Sequence, residues 1–357
     1  MEIELQIKKG EFFKGENMKF QSLYDEWIET YPYTRKQSST RNRIQSAKHL
    51  LKAWQHISIS QISKQTYRKY MNSLVPKYKY NTREGIHVVG KMIFDYAVDM
   101  EYLKINPTDN YAIPKNMDYS EKERGLVFLE KNELADFINI TKTHGLDNDL
   151  EFFTLLAYSG MRVGEAISLK WEDLNFENNS IIINKTYYNP NNNKYNFSLS
   201  RPKTRSSHRE ILIDKLVMSL LSHLKSKQTE VKQINKRVYK DQNFVFTCSE
   251  GYPRTIRLVA NRLQRLIKHM NLNKNITTHS FRHTHASLLI EANANMKVIS
   301  HRLGHATIAT TDEIYGHLTR GLEKKASQQF SELMKDLVIF DDDHTQSNMV
   351  YDQKYDH

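Results

Sequence analysis

The stretch HSFRHTHASLLIEANANMKVISHRLGHATIATTDEIY, residues 279–315, is the part of the sequence around which the rest of the chain is organised. It begins with His279 and Arg282, which are three residues apart and share one face if the segment is helical. Backbone amides near a helix start also favour an anion. His305 follows a helix-ending Leu-Gly pair, and Tyr315 comes ten residues later. An arginine and two imidazoles ahead of one tyrosine predict a phosphate pocket beside a nucleophile.

A metal site is the competing interpretation, because His279, His283 and His285 lie close together in the sequence. However, His283 and His285 point to different sides of a helix, no carboxylate stands at ligand spacing, and Arg282 would repel a cation. We therefore expect neither a metal nor any other cofactor here. His283, His285 and His301 are assigned structural roles.

Two upstream stretches add polar residues that could join this pocket. SGMRVGEAISLKW, residues 159–171, places Arg162 just after a glycine break and Glu165 one helical turn later. That spacing lets the carboxylate orient the guanidinium, or form a surface ion pair. RPKTRSSHREI, residues 201–211, places Lys203 in a turn that leads into a predicted strand. Taken singly, each of these residues would be an ordinary surface or core residue.

Length and composition limit the class of protein. The 357 residues suffice for two domains, and the net charge of +11 favours a polyanionic partner, meaning nucleic acid or an anionic membrane surface. No apolar run approaches the ~18 residues that a membrane span needs, and the first residues lack the layout of a signal peptide. The single cysteine, Cys248, excludes an internal disulfide and a cysteine-based zinc site. We therefore expect a soluble cytoplasmic protein.

Positive charge is concentrated in residues 31–91, which hold thirteen basic residues and one acidic residue, Glu84. We expect all thirteen to lie on the surface, because they cannot face one core. A solvated face normally mixes both signs, so this one-sided charge predicts contacts with the phosphates of a nucleic acid duplex. The proposed contacts are Arg35, Lys36, Arg41, Arg43, Lys64, Arg68, Lys69, Lys77, Lys79 and Arg83.

Periodicity predicts a helical N-terminal domain followed by a mixed domain. Apolar residues at spacings of three and four indicate helices near residues 18–28, 39–54, 60–74 and 82–103. After a linker, helices are expected at 131–143, 147–159, 162–171, 216–227, 254–270 and 319–337. Strand-like runs at 180–188, 195–200 and 208–213 predict an antiparallel meander, and 244–247 a further short strand. The predicted fold class is mainly α with a small antiparallel β meander, an α+β protein.

The ordered set of polar residues resembles the active site of the tyrosine recombinase (phage integrase) family. The matching motifs are Arg162 in SGMRVGEA, Lys203 in PKT, His279 and Arg282 in HxxR, His305 in RLGH, and Tyr315 in IYGHL. The resemblance covers about residues 18–337, and the motif style is similar to integrases of phages and conjugative elements of Gram-positive bacteria.

The resemblance implies a domain plan. It consists of a leader or remnant of an N-terminal element at 1–17, a helical core-type DNA-binding domain at 18–108, a linker at 109–124, a catalytic domain of the DNA breaking-rejoining type at 125–338, and an acidic disordered tail at 339–357.

The resemblance also implies a mechanism and partners. Tyr315 would attack a phosphodiester of duplex DNA to give a 3′-phosphotyrosine, without metal or ATP. Arg162, Arg282 and His305 would bind the phosphate, His279 would assist proton transfer at the tyrosine, Lys203 would protonate the leaving group, and Glu165 would orient the cluster. The expected partners are DNA attachment sites, a homo-tetramer in the synapse, an excisionase and a host DNA-bending protein, in the nucleoid of a bacterial cell and not at a membrane.

Three other functions share part of this pattern. A chromosome-dimer-resolving recombinase and a type IB topoisomerase use the same tyrosine chemistry. A DNA-binding protein with an inactive site is a third alternative, which the six intact residues argue against. The expected function is a site-specific integrase that inserts and excises a phage or mobile element.

Overall fold

The computed structural model describes residues 17–34, 36–114, 126–201 and 205–335, and it divides the chain into two compact units, Met1–Gly125 and Leu126–His357. The side chains of residues 34, 205, 317–326 and 329 are also outside the description. The predicted leader up to residue 16, the acidic tail, Arg35 and Lys203 therefore lie outside the described residues, as does most of the predicted linker.

Four helices with short connections form the described part of the N-terminal unit, residues 17–34 and 36–114. They are α1 (Phe20–Thr30), α2 (Gln37–Trp54), α3 (Lys64–Ser73) and α4 (Tyr80–Asp99). Apolar residues spaced three and four apart on α1 face Trp54 and Phe94, and Phe20 lies edge-on to Trp54 with ring centroids 5.8 Å apart. The predicted helix at 60–74 is divided, because Ser63 accepts a hydrogen bond from the Thr66 amide and starts α3 there.

The first residues of the predicted linker pack onto this helical unit. The Tyr111 ring lies against Tyr67 with centroids 5.9 Å apart, and its hydroxyl donates to the side-chain oxygen of Asn72 at 3.0 Å. The first residues of the predicted linker therefore contact the helical unit, and the linker at 109–124 stays a prediction.

Arg83 corrects the prediction that all thirteen cations lie on the surface. Its side chain is fully buried, and it donates from Nε to the Tyr78 carbonyl at 3.1 Å and from Nη1 to the Pro114 carbonyl at 2.8 Å. Arg83 therefore holds Pro114 near α4, and its buried guanidinium is not available to contact DNA. Arg43 is half-buried, and ten others are exposed: Lys36, Arg41, Lys48, Lys52, Lys64, Arg68, Lys69, Lys77, Lys79 and Lys91.

The C-terminal unit is mainly helical, as predicted. Its helices are α5 (Lys131–His144), α6 (Asp149–Ser159), α7 (Val163–Ile167), α8 (Lys215–Ile234), α9 (Ile256–Ile267), α10 (Ser280–Glu291), α11 (Met296–Leu303) and α12 (Ile308–Met334). Helices α6 and α10 pack together at its centre, where Phe153 stacks on Phe281 with ring centroids 5.7 Å apart. This packing brings the residues after Ser159 next to those after His279.

The strands form two small antiparallel sheets instead of one meander. They are β1 (Leu174–Asn175), β2 (Ser180–Ile183), β3 (Thr186–Tyr188), β4 (Ser198–Ser200) and β5 (Arg209–Leu212). One sheet has the order β1-β2-β5, and β3 and β4 form a separate hairpin. The predicted run 180–188 divides at Asn184 and Lys185, because both side chains bond to the carboxylate of Asp173. Residues 244–247 form only isolated bridges.

Residues 308–334 form one continuous helix. The helix predicted at 319–337 is therefore not a separate element, because α12 begins at Ile308 and already includes Tyr315. Thr307 caps its start by accepting a hydrogen bond from the Thr310 amide at 3.3 Å. In the part of the chain that the structure describes, every helix falls short of the length or apolar character needed to cross a membrane.

Candidate active site

Arg162 is placed by the break between α6 and α7. Gly160 ends α6 in the left-handed region at φ 64°, where a Cβ would come within 2.6 Å of the His285 ring. Arg162 then precedes the first residue of α7, and its amide donates to Glu165 Oε2 at 3.0 Å. Its Nη1 donates to Glu165 Oε1, also at 3.0 Å, while 41% of the Arg162 side chain stays exposed.

Glu165 is not part of a surface ion pair, because only 4% of it is exposed. Its second partner is Arg209 on β5, which donates from Nη2 to Oε2 at 3.0 Å. Burial alone would raise the pKa of Glu165, but the charges of Arg209 and Arg162 outweigh it and hold that pKa below its ordinary value. Glu165 is therefore an ionised carboxylate shared between two guanidiniums.

Arg209 also connects this pair to the turn that carries His305. Its Nε donates to the Arg302 carbonyl at 2.7 Å, and its Nη1 donates to the Ser207 carbonyl at 3.1 Å. The next turn contains Gly304 at φ 66°, where a Cβ would lie 2.7 Å from Arg209 Nη1. Glycine at 304 thus allows the guanidinium to approach the backbone beside His305.

The Arg282 side chain extends from α10 toward Arg162, Glu165 and Arg209. It is almost fully buried, and its Nη1 donates to the Gly160 carbonyl at 3.0 Å. Its Nη2 has no hydrogen-bond partner among the described residues. Burial first, and then the charge of Arg162, lowers the pKa of Arg282 to about 9, so the side chain remains protonated at neutral pH.

Tyr315 lies in a small apolar cluster between α10 and α11, formed with Ile290 and Leu303, and only 1% of it is exposed. Its hydroxyl is 2.9 Å from Nδ1 of His283. Burial raises the pKa of Tyr315 to about 12, although the charge of Arg282 acts in the opposite direction. The tyrosine is therefore protonated at neutral pH, and its hydroxyl shares a hydrogen bond with His283.

This contact bears on two sequence-based predictions. The sequence predicts a structural role for His283, and the structure makes it a hydrogen-bond partner of the tyrosine. His279 is predicted to assist proton transfer at the tyrosine, and its ring packs edge-on against His283 with centroids 4.7 Å apart. Both histidines lie on one side of α10, and the sequence cannot tell which one the tyrosine meets.

His305 faces the arginines from the turn after α11. Burial first, and then the charges of Arg282, Arg162 and Arg209, lowers its pKa to about 4. Its Nδ1 lies 2.8 Å from the hydroxyl oxygen of Thr311 on α12. The ring is therefore neutral at neutral pH.

His285 points away from this cluster. Its Nδ1 donates to the Ala157 carbonyl at 2.9 Å, and its Nε2 accepts from Arg302 Nε at 3.2 Å. His283 and His285 thus have separate partners. Among residues 17–34, 36–114, 126–201 and 205–335, no group of histidine, cysteine and carboxylate side chains is placed to hold a metal ion.

The structure brings together five of the six predicted catalytic residues and Glu165. The charges of Arg162, Glu165 and Tyr315 are close enough to Arg282 to affect its pKa. The charges of Arg282, Arg162 and His279 likewise affect the pKa of His305. Lys203 lies outside the described residues. Sequence reasoning missed Arg209, His283 and Thr311. For Arg209 a signal existed, because the two-residue period of β5 places it on the same buried face as Ile211.

The buried imidazole of His285 generates a prediction about pH. Burial first, and then the charge of Arg302, lowers the pKa of His285 to about 4, against about 6.5 in an unfolded chain. Between these values the unfolded state binds a proton that the native state does not, so the free energy of unfolding falls as pH drops from about 6.5 to about 4. We expect His285→Gln to reduce this fall by about 2–3 kcal/mol, measured by denaturant unfolding at several pH values.

The matched control is His301→Gln, which changes an exposed histidine on α11. It should leave the fall between pH 6.5 and 4 as large as in the wild type. An equal fall in His285→Gln and wild type would show that His285 is not held neutral.

The sequence profile of the Phage integrase family matches residues 127–321, more than half of the chain. The chain is 28% identical over 333 residues to the integrase of Staphylococcus phage L54a, which covers 88% of this chain and 93% of that protein. It is 30% identical over 329 residues to the prophage ps2 probable integrase of Lactococcus lactis, covering 86% of this chain and 81% of that protein.

Solved structures show the same fold. The Tn1549 transposon integrase, in complex with transposon right end DNA, superimposes with a TM-score of 0.70 at 21% identity, covering 87% of this chain and 100% of that one. The profile and the relatives show that this chain belongs to the phage integrase family of tyrosine recombinases.

Proposed function

We propose that this recombinase is an integrase that inserts and excises a phage or mobile element through a covalent bond between Tyr315 and DNA. The observation that carries the proposal is the hydroxyl of Tyr315, hydrogen-bonded to His283 within a cluster of arginines. The phage and prophage integrases among its relatives favour this role over that of a chromosome-dimer resolvase.

The proposed reaction is a transesterification. Tyr315 Oη forms a bond to the scissile phosphorus, the bond from phosphorus to the 5′ oxygen breaks, and a 3′-phosphotyrosine remains. The tyrosine proton would pass to His283 Nδ1, which lies 2.9 Å from the hydroxyl oxygen. Burial first, and then the charges of His279 and Arg282, lowers the pKa of His283 to about 4, and an incoming phosphate would partly offset the charge of Arg282. The 5′-hydroxyl of another strand then reverses the step, so the bond energy is conserved and ATP is not needed.

Arg282, Arg162 and His305 would bind the non-bridging oxygens. The Nη2 group of Arg282 is buried and has no partner among the described residues, so it can donate to a phosphate oxygen without losing a bond. Glu165 contacts one Nη group of Arg162, and the exposed part of that guanidinium remains for the substrate. Fixed donors in a buried site stabilise the charge that develops in the transition state.

Lys203 is proposed as the general acid that protonates the 5′ oxygen. It belongs to the segment between β4, which ends at Ser200, and the 3₁₀ turn Arg205–Ser207. The strand that follows this turn carries Arg209, which contacts Glu165 at 3.0 Å. The strand β5, which follows this connection, therefore contacts the site through Arg209.

The N-terminal unit is proposed to bind the duplex through exposed faces of α2 and α3. On α3, one groove is lined by Lys64, Gln65, Arg68, Lys69 and Asn72. Cations there suit phosphates, and the two amide side chains suit phosphates or base edges. On α2, Arg41, Lys48 and Lys52 are exposed at spacings that follow the helix. Lys36, Arg43, Lys77 and Lys79 extend the proposed surface, and Arg35 stays a sequence-based prediction.

Recombination joins two duplexes by four cleavages, so we further propose that four copies assemble on DNA. An excisionase and a host DNA-bending protein are proposed as helpers, and the bacterial nucleoid as the place of action. The Tn1549 integrase was solved with transposon right end DNA, which supports duplex DNA as the substrate.

Replacing the nucleophile tests the proposed function. A nicked suicide duplex that carries the attachment core should trap wild-type protein as a covalent adduct, seen as a shifted band on a denaturing gel. Tyr315→Phe removes the attacking oxygen and should form no adduct. Tyr158→Phe alters a half-exposed tyrosine at the end of α6 and should form adduct at the wild-type rate.

An adduct formed by Tyr315→Phe would show that another residue attacks the phosphate. Relaxation of supercoiled DNA by the wild type, without exchange between two sites, would instead identify a topoisomerase.

Salt dependence tests the DNA-binding face. Phosphate contacts release counterions, so Lys69→Gln should weaken binding to every sequence and make the slope of log K against log salt shallower by about 1. Arg83→Met removes a cation from the same unit and should leave this slope unchanged. It should instead lower the free energy of unfolding by about 1.5–3 kcal/mol, since the carbonyls of Tyr78 and Pro114 lose a charged donor that is itself fully buried. A changed slope in Arg83→Met and none in Lys69→Gln would contradict the proposed surface.

A further inference from the structure

His305 has a partner on the helix that carries the nucleophile. Its Nδ1 lies 2.8 Å from Oγ1 of Thr311, and Thr311 is 0% exposed. Thr311 is four residues before Tyr315 on α12, so the two side chains emerge from the same side of that helix. The contact therefore connects the proposed phosphate-binding histidine to the tyrosine helix.

The direction of this hydrogen bond follows from the burial of Thr311. His305 is the one hydrogen-bond partner that the Thr311 hydroxyl has in the described part of the chain. If His305 Nδ1 carried the proton, the buried hydroxyl hydrogen would have no acceptor, and an unsatisfied buried donor is unfavourable. The Thr311 hydroxyl therefore donates, and His305 Nδ1 accepts.

A neutral imidazole whose Nδ1 accepts must carry its proton on Nε2. Nε2 is then a donor, as a group that binds a non-bridging phosphate oxygen must be. In the opposite tautomer, the Nε2 lone pair would face that oxygen and repel it.

We propose that Thr311 is a positioning residue that holds His305 in the tautomer with the proton on Nε2, ready to donate to the scissile phosphate. This inference rests on the proposed function. Since Thr311 and Tyr315 share α12, the helix that delivers the nucleophile also sets the donor state of the phosphate-binding histidine. Displacement of α12 would therefore remove both the Tyr315 nucleophile and the Thr311 hydrogen bond to His305 from the site.

The first test compares three variants of the full-length protein in the suicide-substrate reaction. Thr311→Val keeps the shape of the side chain but removes the hydroxyl, and it should slow adduct formation by roughly 10- to 100-fold, the size of effect seen when an outer hydrogen-bond partner of a functional histidine is lost. Thr311→Ser retains the hydroxyl and should restore most of the rate. Thr310→Val makes the same change at the neighbouring hydroxyl, which contacts Thr307, and should react like the wild type.

The second test separates positioning from a general structural effect. In a His305→Ala background, Thr311→Val should cause no further loss of rate, because the histidine through which Thr311 acts is absent. An equal loss with and without His305 would overturn the proposal. So would a wild-type rate in Thr311→Val.

The third test needs no Thr311 variant and is decisive if Thr311→Val does not fold. In full-length wild-type protein labelled with ¹⁵N-histidine, the His305 resonances, assigned by their loss in His305→Ala, should show a protonated Nε2 and a bare Nδ1. A protonated Nδ1 would overturn the proposal. If the wild type formed no covalent adduct at all, the proposed function would fail, while the tautomer would still be decided by this measurement.

Discussion

The site depends on one buried carboxylate. Glu165 lies between Arg162 and Arg209 and contacts each guanidinium at 3.0 Å. Arg282 stands close enough for Arg162 to lower its pKa and for Glu165 to raise it. Guanidiniums gathered away from water repel one another, and an unpaired buried charge is strongly unfavourable. Glu165 supplies the counter-charge that allows the cationic cluster to form before any phosphate arrives.

This interaction joins parts of the chain that are distant in sequence. Glu165 belongs to α7, Arg209 belongs to β5, and the Arg302 carbonyl that Arg209 also contacts ends α11 just before His305. The glycines at 160 and 304 permit two close approaches within the site, at His285 and at Arg209. Donors that are fixed in this way need no reorganisation when the phosphate charge develops, which is the physical basis of the proposed catalysis.

The sequence predicted those features that depend on local spacing. The helical N-terminal unit and the mainly helical C-terminal unit follow from periodicity. The grouping of Arg162, Glu165, Arg282, His305 and Tyr315 is what the resemblance to the tyrosine recombinase family implies. The sequence did not predict features set by tertiary contacts. Whether His279 or His283 meets Tyr315 depends on how α12 lies against α10, and both histidines share one side of α10.

Local sequence patterns also do not predict which polar residues are buried. Arg83 stands among many surface cations in the sequence, yet the carbonyls of Tyr78 and Pro114 hold it in the interior. The strands were assigned to one meander because their lengths and turns suited it. At the break between β2 and β3, the side chains at 184 and 185 instead bond to Asp173, a contact with another part of the chain that local patterns do not show.

The most direct measurement on the buried carboxylate is a double-mutant cycle between Glu165→Gln and Arg162→Lys, read as the rate of covalent adduct formation. If Glu165 acts by holding Arg162 in place, each single change should slow the reaction strongly and the double variant should be little slower than either one. Rate losses that multiply, as for two independent residues, would contradict the role of Glu165 as the shared partner of the site arginines.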